Sequence, residues 1–312
     1  MNTGRPSTRE QRWVVILNPA ADRGRAAAKR ELIQQAFERL GLNFCLLTTE
    51  RPGHATQLAQ EALREAAVVV AAGGDGTVNE VAQGLVGTEA TLGIIPIGSG
   101  NDYARVLGLP ADPAVVVELL PRMRVRQVDV GMIGERYYLN SLGMGIDGQI
   151  ALDYRRMRLL RGEAGYILAT VWEALRFRGV EVEIRGDGWE FHGRILTTAV
   201  MNGPYAGGGF YLAPQARLDD GELDVVVIGN YPRLVRLAVL PKTRDGSYLE
   251  LRRVHAKRAR TLRVTSARPL PVHLDGELLP QPLQALEVTL LPGALRVLRP
   301  VSEKGGLSEG EG

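Results

Sequence analysis

Five consecutive apolar residues, Val68 to Ala72, run directly into Gly73-Gly74-Asp75-Gly76-Thr77, and helical spacing follows from Val78 to Leu85. A stretch that is apolar at every position, rather than every second one, is a strand covered on both faces. A strand that ends in glycines and opens into a helix belongs to a βαβ unit. It restricts the first third of the chain to a parallel sheet flanked by helices. The neighbouring segments agree: Trp13 to Leu17, Phe44 to Leu47 and Leu92 to Ile97 read as strands, and Ala26 to Leu40 and Ala55 to Ala66 as helices. The first of these helices carries Leu32, Ile33, Ala36, Phe37 and Leu40 at helical spacing, with Gly41 closing it. A doubly wound sheet of this kind takes its ligands at the carboxyl ends of the strands, where the glycines fall.

The glycines let the backbone approach a phosphate closely, and the first amides of the following helix point toward an anion. Asp75 would be repelled by phosphate, so it should face a metal or a proton. Alone, the motif is equally well a tight turn with Asp75 or Thr77 as N-cap. A second glycine-bearing segment, Pro96-Ile97-Gly98-Ser99-Gly100-Asn101-Asp102-Tyr103-Ala104-Arg105, follows the next strand and again opens a helix. Two such loops at neighbouring strand ends face one crevice, as a nucleoside triphosphate requires. The P-loop signature with its lysine is absent from the sequence.

After about Pro121 the pattern changes to short strands separated by turn residues: Val125 to Val130, Arg136 to Leu142, Val180 to Ile184, Phe191 to Met201, Leu223 to Ile228, Ala259 to Thr265, Pro271 to Leu274 and Ala285 to Leu291. This predicts a mainly antiparallel β-sandwich or barrel. One helix, about Glu163 to Phe177, places Leu168, Val171, Trp172 and Leu175 on one face. The expected organisation is a disordered N-terminus over 1–12, an α/β domain over 13–124, a β-rich domain over 125–300 and a disordered tail over 301–312. A chain of 312 residues suits two domains. A net charge of +3 is too near balance for a dedicated nucleic-acid binder. The single Cys45 and the lack of Cys/His pairs at zinc spacing exclude disulfide and zinc-finger scaffolds. No apolar run is long enough to span a membrane, so any membrane contact is expected to be peripheral, from a cytoplasmic setting.

These segments resemble the diacylglycerol kinase-like lipid kinases, particularly the bacterial branch, over nearly the whole chain. Asn18-Pro19-Ala20-Ala21-Asp22-Arg23-Gly24 is similar to the family's first nucleotide loop, and Thr49 with Gly53-His54-Ala55 to its second. Gly73 to Val81 and Pro96 to Arg105 resemble its two diagnostic segments. Asn140 to Asp147, Pro214 to Val225 and Leu274-Asp275-Gly276-Glu277 resemble its C-terminal marks. The resemblance implies a doubly wound, mostly parallel nucleotide domain of the phosphofructokinase and NAD-kinase kind, a β-rich lipid-binding domain, and ATP-dependent phosphorylation of a lipid hydroxyl. It further implies that Thr49, Gly74, Asp75, Gly76, Thr77, Val78, Asn79, Glu80 and Ser99 line the nucleotide, with Asn18 in the first loop. Asp220 would bind Mg2+ with the backbone carbonyls of Arg217 and Glu222. Asp275 and Glu277 supply the candidate base, Glu277 being favoured, and Asp75 would help to hold the metal or the acceptor. Ser99 stands where Thr is commoner, and Asp22 where Gly is usual.

Plainer readings stand beside these. Asp275-Gly276 has the composition of a two-residue type I′ hairpin turn, which would hold both carboxylates rigidly. Asp219-Asp220 also suits a solvated turn. Gly143 to Gly148 matches a dinucleotide fingerprint but lies outside any βαβ unit. Arg155, Arg156, Arg158 and Arg161, and the run from Arg252 to Arg268, are either solvated faces or attractors of anionic headgroups. The expected partners are a membrane lipid substrate and an anionic membrane surface, without nucleic acid, and a homodimer is left open. An NAD or sugar-phosphate kinase sharing the Gly-Gly-Asp-Gly loop, and a non-catalytic lipid-binding protein, are the alternative functions.

Overall fold

In the computed structural model the described residues are 12–156 and 163–301, with side chains undescribed over 154–167. The expected disordered ends (all but Arg12 and Val301), together with Arg158 and Arg161, therefore lie outside the described residues. The chain divides into two compact units. One comprises the chain up to Gly98, Ala104–Gln127 and the residues from Leu295; the other comprises Ser99–Tyr103 and Val128–Ala294.

In the first unit, β1 (Trp13–Leu17), α1 (Lys29–Arg39), β2 (Phe44–Thr48), α2 (His54–Ala62), β3 (Val68–Gly73), α3 (Asp75–Leu85) and β4 (Thr91–Pro96) alternate as expected. The strands pair in parallel in the order β2-β1-β3-β4. β1, β3 and β4 are buried at every residue, whereas β2, at the edge, is half-buried throughout. Continuous apolar runs mark the interior strands because helices cover both faces. Under α1 the core is closed by Phe37, which meets Trp13 edge-on at 6.1 Å and Phe44 at 5.1 Å. Helices α4 (Asp102–Val106) and α5 (Pro113–Leu119) follow; Asp112 caps α5 by accepting from the Ala114 amide at 2.9 Å.

The chain continues through β5 (Arg124–Ile133), β6 (Arg136–Tyr138), β7 (Ser141–Gly145), α6 (Ile146–Arg156), α7 (Glu163–Arg176), β8 (Val180–Gly186) and β9 (Trp189–Met201). Next come β10 (Tyr205–Ala206), β11 (Phe210–Tyr211), β12 (Leu223–Gly229), α8 (Arg233–Val239), β13 (Val254–Ala259), β14 (Thr261–Leu270), β15 (Val272–Leu274), β16 (Glu277–Leu278) and β17 (Leu283–Arg299). The second unit is an antiparallel β-sandwich. β9 lies at its centre, pairing with β7, β8 and β12, and β15 joins on the far side of β7. β17 divides between the units: its Thr261-facing part pairs with β14, and Arg296 and Val297 pair in parallel with Thr91 and Leu92 of β4.

Three local expectations differ. The segment read as one strand, Arg136 to Leu142, is broken at Leu139-Asn140, whose amides turn to a carboxylate described below. Ile146–Arg156 is a helix that glycine-rich spacing concealed, and Arg233–Val239 is another. No helix among the described residues is long and apolar enough to cross a membrane.

α6 and α7 pack against each other with Glu173 only 5% exposed beside Asp153. Burial, then the neighbouring Asp153 carboxyl, pushes Glu173 from its ordinary 4.5 up to about 7. A raised folded-state value means that the stabilising contribution is complete below about pH 4.5 and lost as pH rises through about 7. Glu173→Gln should therefore raise Tm by about 2–4 °C at pH 8 and change it little near pH 5; thermal melts at the two pH values check this.

Candidate active site

The glycine loops of the first unit are built by close approach. A side chain at Gly73 would place its Cβ 2.4 Å from the Thr77 hydroxyl, and one at Gly74 would lie 3.2 Å from the Gly98 Cα. Gly74 stands at the N-cap of α3 and, being glycine, supplies no side-chain cap there. The amides beyond it are those available to an anion. Asp75 sits half-buried in the first turn. Thr77 is buried, and its Oγ1 accepts from Asn18 Nδ2 at 2.9 Å, tying the first loop to this one. Val78 is buried in the core. Asn79 Oδ1 accepts from Gln83 Nε2 at 3.0 Å.

Glu80, expected along the nucleotide, has its carboxylate engaged elsewhere. It accepts from the Gly53 and Ala55 amides at 2.9 and 3.2 Å and so closes the start of α2. Thr49 is buried, with its amide donating to the Leu17 carbonyl at 2.9 Å. Asp22, the departure in the first loop, adopts φ +49°, a left-handed conformation that Asp tolerates better than most residues, and its Oδ1 meets Arg25 at 2.7 Å. Ser99 is exposed.

In the second unit Asp275 and Gly276 both have positive φ, +49° and +86°, the signature of a type I′ turn, with Leu274 paired to Glu277 across it. The turn gives its two carboxylates different surroundings. Asp275 accepts three successive backbone amides, from Leu139 at 2.7 Å, Asn140 at 2.9 Å and Ser141 at 2.8 Å. Glu277 is exposed. Burial and then the Asp275 charge hold the Tyr138 phenol well above its ordinary value, so it stays protonated. His273 Nε2 lies 3.5 Å from Asp147 Oδ2, and its Nδ1 accepts the Gly276 amide at 3.3 Å.

The loop around Asp220 gathers three carboxylates about one guanidinium. Arg258 lies 3.7 Å from Asp220, 3.1 Å from Glu222 and 3.4 Å from Asp224. Burial, opposed by Arg258 and reinforced by Asp220, pushes the Asp224 carboxyl up, and its Oδ2 is buried without a hydrogen-bond partner among the described residues. Negative charge thus exceeds its compensation. Hard oxygen donors with surplus negative charge fit a divalent cation of the Mg2+ type. Among the described residues no cluster of three or more His, Cys, Asp or Glu forms a ready-made metal cage, so carbonyl and water oxygens would have to complete the shell. The loop is held by a residue that sequence reasoning passed over. Buried Asp129 accepts from the Gly221 and Gly293 amides, both at 2.7 Å. The available signal was an acid between two valines, Val128 and Val130, in the inner half of β5.

Residues 12–133 match the diacylglycerol kinase catalytic domain, and residues 140–299 match the YegS C-terminal NAD kinase beta sandwich-like domain. The chain is 32% identical over 272 residues to the diacylglycerol kinase of Bacillus subtilis (strain 168), which covers 84% of this chain and 88% of that one. The chain belongs to the diacylglycerol kinase-like lipid kinases. It is also 34% identical to a protein of Pseudomonas aeruginosa (strain UCBPP-PA14) named "Probable lipid kinase YegS-like", over 89% of each. Its fold is similar to the crystal structure of a Bacillus anthracis str. Sterne protein, with a TM-score of 0.78 at 24% identity over 96% of this chain and 98% of that one. Kinship makes this member of the family a kinase acting on lipid.

In this lipid kinase, Asp129→Ala would strand the amides of Gly221 and Gly293. The expected loss is roughly 0.5–1.5 kcal/mol for each hydrogen bond to these half-buried amides. Urea denaturation should show it, with faster amide exchange over 217–222.

Proposed function

We propose that the protein transfers the γ-phosphoryl group of ATP, with Mg2+, to the hydroxyl of a membrane lipid, with diacylglycerol as the acceptor favoured by a relative's name. The observation that carries this reading is the division of labour at the 274–277 turn. The Asp275 carboxylate is occupied by three backbone amides, whereas the Glu277 carboxylate on the same turn is exposed and can come within hydrogen-bond reach of an acceptor hydroxyl. Glu277 takes the proton of the acceptor hydroxyl as its oxygen attacks the γ-phosphorus and the bond to the β-phosphate breaks, leaving ADP and the lipid phosphate. Asp275 is then a positioning residue that fixes the turn to Leu139–Ser141.

The nucleotide is assigned to the loops of Asn18, Thr49, Gly74–Asn79 and Ser99, with α3 amides stabilising phosphate charge. Val78 and Glu80 serve there through the backbone, since their side chains are engaged in the core and at α2. Asp75 is assigned to the metal or the acceptor. Asp220, with the Arg217 and Glu222 carbonyls, would hold Mg2+, which supplies the positive charge that the crowded carboxylates lack. The substrate's location puts the reaction at a membrane surface, approached peripherally from the cytoplasmic side.

Glu277→Gln should reduce turnover of γ-labelled ATP with diacylglycerol in mixed micelles by about 10²–10⁴-fold, leaving the KM for ATP near wild type. Asp275→Asn should instead lower stability and turnover together. A normal Glu277→Gln rate would remove the base from this residue, and normal rates for both variants would favour a lipid-binding protein. Asp220→Ala should raise the Mg2+ concentration for half-maximal activity by at least about tenfold, with a smaller change in the ATP requirement. An unchanged Mg2+ titration would make Asp219-Asp220 an ordinary turn.

A further inference from the structure

The apolar stripe on α7 faces outward. Leu168, Trp172 and Leu175, spaced as one helical face, are 46%, 50% and 36% exposed, while Ala169, Glu173, Ala174 and Phe177 are buried on the other side. On α8, which packs against α7, Leu234 is 78% and Val235 42% exposed. Five of the nine large hydrophobic residues exposed among the described residues therefore stand on two adjacent helices. Scattered singly they would need no explanation; gathered on neighbouring helices, they do.

The two helices are clamped together by a charge. Arg236 of α8 is buried, and its Nη1 donates to the Ala174 and Phe177 carbonyls at the end of α7, at 2.9 and 2.7 Å. Its Nε and Nη2 donate to the Tyr231 carbonyl and Asn230 Oδ1, each at 2.9 Å. Burial, and then nearby Arg233, lowers its pKa. A buried guanidinium is costly unless fully paired. Two of its four hydrogen bonds hold α8 against the end of α7, and the other two fix the residues that lead into α8.

The rim is cationic. Arg176 lies over the Trp172 ring at 5.2 Å, Arg268 over Phe177 at 5.7 Å and Arg253 over Tyr231 at 5.7 Å; Arg178 and Arg233 are exposed. The acid on this part of α7, Glu173, is turned inward. A tryptophan flanked by arginines beside exposed leucines is the composition of a group that sits at the boundary of headgroups and acyl chains.

We propose that the outer face of α7 and α8 is the docking surface by which this protein binds a bilayer rich in anionic phospholipid, with Trp172 and Leu234 entering the interface and the arginine rim meeting the headgroups. The inference rests on the lipid-kinase reading for its purpose, but its test does not depend on catalysis. The test is sedimentation of the full-length protein with vesicles of phosphatidylglycerol and phosphatidylcholine, compared with phosphatidylcholine alone. Wild type should bind the anionic vesicles. Trp172→Ser with Leu234→Ser should weaken that binding at least about tenfold. Turnover on a short-chain diacylglycerol dispersed in detergent should stay near wild type, and the melting curve should be unchanged. Arg176→Gln with Arg233→Gln should reduce binding to the anionic vesicles and abolish its salt dependence in part, with no effect on neutral ones.

Undiminished vesicle binding by the serine variant would overturn the proposal, as would a wild type that ignores anionic vesicles. So would a wild-type dimer that the serine variant converts to monomer, which would make this face an interface between two copies. Should Leu234→Ser with Trp172→Ser fold poorly, Leu234→Ser alone, at the most exposed of these positions, must still weaken binding for the proposal to stand. Vesicle binding that follows these expectations in a protein unable to phosphorylate any lipid would leave the docking surface in place and remove the kinase reading.

Discussion

Three successive amides, those of Leu139, Asn140 and Ser141, converge on the carboxylate of Asp275, more than a hundred residues away in the chain. Much of the second unit's polar interior depends on that junction. It breaks what would otherwise be one long strand into β6 and β7, and it sets the register in which β7 receives β15, with Val272, His273 and Leu274 opposite Met144, Gly143 and Leu142. The corner so formed is reinforced by Asn202. Its amide donates to the Asn140 carbonyl, and its side chain donates to the Asp129 and Leu139 carbonyls, each at 2.8 Å. Carbonyls and amides inside a sandwich must find partners once water is gone, and two acids and an amide side chain meet that need here. The hairpin is anchored by the same junction: Asp275 is tied to three amides, while Glu277, paired with Leu274 across the turn, is exposed.

The first unit solves a different problem. Its glycine loops must bring backbone close to backbone and still leave amides pointing outward. The absence of a side chain at Gly73 lets Thr77 fold inward over the end of β3, where it accepts from Asn18. The absence of one at Gly74 lets the next loop approach at Gly98. Thr77 is directed inward, and the N-cap residue of α3, Gly74, has no side chain with which to cap the helix. A helix start whose N-cap is glycine relies on other partners for its first amides, and an anionic ligand is one such partner.

These differences explain how much was legible in the sequence. β1, β3 and β4 could be read because helices bury both their faces, which writes burial directly into unbroken apolar runs. The Asp275-Gly276 turn was legible because a type I′ turn needs positive φ at both central positions, and few residue pairs satisfy that. The boundaries of the glycine loops were legible for the same steric reason. What remained hidden depends on partners distant in sequence. The break at Leu139-Asn140 requires Asp275, and the engagement of Glu80 with α2 requires the Gly53 and Ala55 amides. β17 reads as an ordinary antiparallel strand until Arg296 and Val297 are found beside β4. α8 is short, and its buried side chains include an arginine, so hydrophobic periodicity does not announce it.

α7 carries the same lesson in reverse. Its amphipathic pattern was correctly periodic, but the stripe at Leu168, Trp172 and Leu175 lies on the outside. The buried side is made of small and polar residues, Ala169, Thr170, Glu173 and Ala174. Periodicity identifies a face and is silent about what covers it. A core would be expected to claim the tryptophan and leucines, since their burial offers about 1.5–3 kcal/mol each. The structure instead buries a carboxyl raised to about 7 and a guanidinium on the inner side. Two ionisable groups inside and a tryptophan outside is an arrangement that self-packing alone would not select. It becomes favourable when the outer face has an apolar medium of its own to enter, which is what the proposed docking surface would give it.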